Sequence, residues 1–60
     1  MDIQRAKDFA KEFTEKHPEH IDEVNDMFDL MKDEIEAGES QENEIQLFIG
    51  ACNDLLIEEN

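Results

Sequence analysis

Apolar residues recur at steps of three and four along most of the 60-residue chain, the spacing that lines one face of an α-helix. Residues 2 to 16 set Ile3, Ala6, Phe9, Ala10 and Phe13 on one side, with Arg5, Lys7, Asp8, Lys11, Glu12 and Glu15 largely between them. From Pro18 to Ala37 the stripe is Ile21, Val24, Phe28, Met31 and Ile35. From Gln41 to about Glu59 it is Ile45, Phe48, Ile49, Cys52, Leu55 and Leu56. The pattern predicts an all-α protein, one small domain of three short helices at about 2–16, 18–37 and 41–59.

The breaks between these segments have local causes. A residue before proline is disfavoured in helical geometry and proline is tolerated in a first turn, so His17-Pro18 separates helix one from helix two. The alternative is one long kinked helix. Gly38 suits the left-handed conformation that closes helices, and Ser40 is a good amino-terminal cap for the next one. So short a connection makes helices two and three an antiparallel hairpin or a corner. Gly50 falls inside helix three at a cost of up to about 1 kcal/mol against alanine, which suggests either plain tolerance or a close crossing by another helix, the crossing being the preferred reading.

Met27, Leu30, Leu47 and Ile57 project away from the main stripe of their helices at about 100° per residue. That surplus predicts a second apolar face and a homodimer. Size points the same way. A 60-residue domain buries only about 60 % of the surface its unfolded chain exposes, and the lone Cys52 closes no intrachain disulfide.

Charge changes the picture more than composition does. The net charge is −13, and fourteen of the eighteen acidic residues lie after Pro18 against a single lysine, Lys32. The first seventeen residues are close to neutral. Asp22, Asp26, Asp29, Asp33 and Glu36 step by four, three, four and three, forming one line about 140° from the Ile21–Ile35 stripe. The line runs for roughly 21 Å, a little over 5 Å per carboxylate. That interval is comparable with the spacing of phosphates along a nucleic-acid strand, on the order of 6 to 7 Å. Like charges at these steps destabilise a helix by a few tenths of a kcal/mol each, and ordinary solvated faces mix both signs. The row is therefore either a plain solvated face or a binding surface for a basic partner.

Other chemistry is weakly supported. Residues 22 to 33 contain no glycine and read as helix, so they do not form a calcium loop of the EF-hand kind. His17, Glu19, His20 and Glu23 supply donors without the second ligand pair that a zinc site needs, so no metal and no cofactor are expected. Cys52 falls in an apolar stripe with neither histidine near it in sequence, and no nucleophile–base constellation is present, so no enzyme activity is expected. Glu42, Asn43 and Glu44 make the start of helix three negative, which disfavours a helix-turn-helix reading and direct nucleic-acid binding. No apolar run approaches the roughly 20 residues that span a bilayer, and Met1-Asp2-Ile3-Gln4-Arg5 lacks the apolar core of a signal peptide. A cytoplasmic protein without membrane contact is expected.

In size, charge and helical pattern the whole chain is similar to the small acidic helical proteins that bacteriophages make early in infection. The acidic row, the Gly38-Glu39-Ser40 corner and the short length carry that resemblance. Some members fold as dimerising helical hairpins and some bind host regulators, so the resemblance implies a host-directed interaction protein. It carries no functional residue across. The sequence thus predicts a non-catalytic interaction module, a regulator or inhibitor that docks Asp22, Asp26, Asp29, Asp33 and Glu36 on a basic surface of another protein. A nucleic-acid mimic blocking a DNA- or RNA-binding protein is the sharper alternative. A structural or assembly subunit, self-associating through Met27, Leu30, Leu47 and Ile57 with charge only for solubility, is the third.

Overall fold

A computed structural model describes residues 3–58. Three helices pack compactly, and no strand occurs among the described residues. Helix α1 spans Ile3–Lys16, a single 3-10 turn covers Pro18–His20, α2 runs Ile21–Glu36 and α3 Gln41–Glu58. The expected first and last helical positions, 2 and 59, lie outside the described residues.

The break at His17-Pro18 is sharper than a continuous helix two would make it. His17 leaves helical geometry at φ −132° and ψ 66°, and its carbonyl accepts the His20 N–H at 3.0 Å, an i to i+3 bond. The chain therefore makes a tight turn before the α-helical ladder begins at Ile21, which corrects the expected start at Pro18. His20 is buried against the corner, its ring centroid 6.4 Å from that of Phe13 and its Nδ1 3.4 Å from Glu23 Oε2.

The second connection is capped on both sides. Gly38 sits at φ 107°, its N–H donates to Ile35 O at 3.1 Å and the Glu39 N–H donates to Glu34 O at 3.0 Å. Those two bonds satisfy carbonyls that the end of α2 would otherwise leave open. Ser40 then caps α3, its Oγ accepting the Asn43 N–H at 3.4 Å and its carbonyl the Glu44 N–H at 3.0 Å. Glu34 meets Glu44 beside the turn, and Phe28 meets Phe48 farther from it, so α3 runs back along α2.

The core is made by one stripe from each helix. Ala6 and Phe13 come from α1, Val24 and Met31 from α2, and Ile45, Phe48 and Cys52 from α3, all buried. Phe48 joins the three elements, its ring lying edge-on to Phe9 at 6.3 Å and to Phe28 at 5.7 Å between centroids. Such pairs contribute about 0.5–1.5 kcal/mol beyond burial. Two expectations need correction. Ile21 belongs to the sequence stripe but is 47 % exposed, because it lies at the edge of the stripe nearest the α1–α2 corner. Gly50 is crossed by nothing: a Cβ built there meets no atom within 4 Å.

Candidate functional site

Two surfaces flank α2, and the regularity of that helix fixes both. The apolar stripe turns Val24 and Met31 inward, so residues about half a turn away must face water. Asp22, Asp26, Asp29, Asp33 and Glu36 are all exposed and form the continuous row that their spacing predicts. None makes a side-chain hydrogen bond or ion pair with another described residue. Lys32, the basic residue of α2, makes no ion pair with them, and its Nζ lies 6.0 Å from the Phe28 ring centroid. The acidic face thus carries five carboxylates against one lysine of its own helix.

On the adjoining side of α2 lies a groove of about 250 Å³ shared with α3. Met27, Leu30 and Met31 line it from α2, and Leu47, Phe48 and Ala51 from α3. Leu30 is 59 % exposed and Leu47 65 % exposed, although both are large aliphatic side chains. Glu34 and Glu44 border the same groove. A side-chain hydrogen bond from Glu34 raises the pKa of the Glu44 carboxyl, with its modest burial and the charges of Glu34 and Glu39 adding to the rise.

Of the four residues expected to mediate self-association, the groove gathers Met27, Leu30 and Leu47. Ile57 is exposed but is not among its lining residues. Glu34 and Glu44 were missed as a pair by sequence reasoning, yet they lie equally far on either side of Glu39 in the turn. A hairpin register drawn about that turn would have paired them.

The remaining candidates stay separate. His17 Nδ1 lies 3.9 Å from Glu19 Oε2, and His20 Nδ1 pairs with Glu23, two local contacts on either side of the corner. No group of three or more His, Cys, Asp or Glu residues among the described residues is arranged to hold a metal ion. Cys52 is buried in the core, and desolvation pushes its thiol up to about 11. Arg5, Lys7, Lys11 and Lys16 are exposed on α1 among Asp8, Glu12 and Glu15. No helix of the described residues is long and apolar enough to cross a membrane.

Comparison with models of known protein families, with characterised proteins and with solved structures finds no match to this chain.

Proposed function

We propose that the chain is a non-catalytic, cytoplasmic interaction module that docks its acidic face on a basic surface of a partner protein and regulates or inhibits that partner. The observation that carries this reading is the row Asp22, Asp26, Asp29, Asp33 and Glu36, five exposed carboxylates on one helix with no ion pair to another described residue. Keeping such a row unpaired works against helix stability, and a basic partner supplies counter-charge that the single Lys32 of α2 does not. The same charge repels nucleic acid and anionic membrane, which leaves basic protein surfaces as the matching class.

The test is capture of partners from a nuclease-treated lysate at low and at high ionic strength. A basic protein retained at low salt and released at high salt is the expected result. Capture that is indifferent to salt counts against the reading. Mimicry of a phosphate strand is its sharper form, and draws support from the row's straight run of roughly 21 Å along α2. It predicts that nucleic acid and this chain compete for one site on the partner. The homodimeric assembly subunit draws on a different observation, the exposure of Leu30, Leu47 and Ile57. It predicts that a polar residue at one of these positions disrupts assembly while neutralising the row changes little.

A further inference from the structure

We infer that the α2–α3 groove seats a basic amphipathic helix of the partner protein. The inference rests on the acidic-docking reading and names the element that docks. Leu30 and Leu47 approach the groove from different helices, and a volume of about 250 Å³ lies below the roughly 300–1,000 Å³ of small-molecule sites. It suits a few inserted side chains instead. Met27 and Met31 line it, and their flexible thioethers accommodate anchors of varied shape. The α2 contribution runs from Met27 to Glu34, about 10 Å along the axis, or two helical turns. A helix laid along such a groove inserts apolar residues at three- and four-residue steps.

The rim states the charge of that helix. Asp26 precedes Leu30 by four positions and Asp33 follows it by three, so both flank it on the helix surface. Glu34 and Glu44 border the groove itself. Every ionisable side chain lining the groove is thus a carboxylate, and Lys or Arg residues beside the partner's apolar anchors meet them. A second copy of this chain fits worse. Two exposed leucines fall well short of the roughly 800 Å² per partner of a standard interface. A self-dimer would therefore extend onto the acidic face and set one charge of −13 against another.

The probe is a synthetic peptide of about fourteen leucines and lysines, long enough for about four turns, with leucine at three- and four-residue steps. Its control has the same composition in an order that forms no stripe. Each is titrated into the isotopically labelled full chain while backbone amide resonances are followed, with Leu30→Gln and Leu47→Gln as variants. Both leucines are exposed, so these variants keep the fold, which circular dichroism verifies. The expected result is that the ordered peptide shifts Leu30, Leu47 and Ala51, and that each variant weakens it by about tenfold. The control peptide binds at least about tenfold more weakly.

Equal binding of both peptides, with shifts confined to the Asp22–Glu36 row and indifferent to Leu30→Gln and Leu47→Gln, overturns the groove inference while leaving acidic docking standing. Failure of both peptides to bind at low salt removes the two together. A dimer of the free chain that Leu47→Gln dissociates gives the groove to a second copy and also overturns the inference.

Discussion

Glu34 of α2 and Glu44 of α3 meet across the hairpin beside its turn, and hydrogen bonding to Glu34 is the largest cause that raises the pKa of the Glu44 carboxyl. A Glu44 carboxylate formed beside Glu34 and Glu39 on an already acidic chain is disfavoured by their charges and works against folding. Because the Glu44 pKa is raised from 4.5, the folded chain holds more protons than the unfolded one between 4.5 and the raised value. The pair's contribution to stability is present below that window and is lost as pH rises through it. Glu44→Gln keeps a donor and removes the charge. The variant is expected to be more stable than the natural chain at pH 7, and the difference to shrink towards pH 4.5, as followed by urea denaturation at several pH values. A variant less stable than the natural chain at pH 7 would contradict this account of the pair.

The two glycines make opposite predictions. Gly38 holds φ 107° in the turn, a conformation that side chains strain to adopt. Gly38→Ala is therefore expected to cost about 1 kcal/mol. Gly50 is helical, and a Cβ there meets nothing within 4 Å. Gly50→Ala is expected to stabilise the chain by about 0.5–1 kcal/mol, measured by thermal or chemical denaturation.

Ile45 is fully buried, and replacing it by alanine leaves a cavity among side chains from three helices. The expected loss is about 2–5 kcal/mol. A chain of this length has a total stability of only about 3–9 kcal/mol at the usual values per residue. Ile45→Ala should therefore leave a large unfolded fraction at 25 °C, visible as lost helical circular dichroism. Leu47→Gln, two positions on and exposed, should not.

Cys52 supplies a probe of the same core. Burial pushes its thiol up to about 11, so little thiolate forms at neutral pH and a reagent must wait for the core to open. Labelling by a thiol reagent at pH 7 is expected to be slow, and to accelerate in Ile45→Ala in step with its unfolded fraction. Rapid labelling of the natural chain would contradict the placement of Cys52 in the core.

Much of this fold was legible because helical periodicity and the Gly38-Glu39-Ser40 cap act locally. The helix ends at Lys16, Glu36 and Gln41 follow from a proline, a glycine and a serine whose backbone preferences do not depend on distant contacts. The 3-10 turn was not legible, since Pro18 in a first turn suits an α-helix as well, and the burial of His20 beside Phe13 is a tertiary outcome. Ile21 shows the complementary limit: a stripe lists residues on one face without saying how far the neighbouring helix extends over it. Gly50 was misread for a simpler reason. It projects about 140° from Ile45, towards solvent, so the pattern itself argued against a close crossing. The acidic row was legible outright, because it is a property of one helix. The groove needed the register of two.

The most direct measurement is affinity capture from a nuclease-treated lysate. It compares the natural chain with one in which Asp22, Asp26, Asp29 and Asp33 are Asn and Glu36 is Gln. These five residues are exposed, so the variant keeps the core. The account predicts that a basic protein is retained by the natural chain and lost by the variant. Retention of the same proteins by both chains would contradict it.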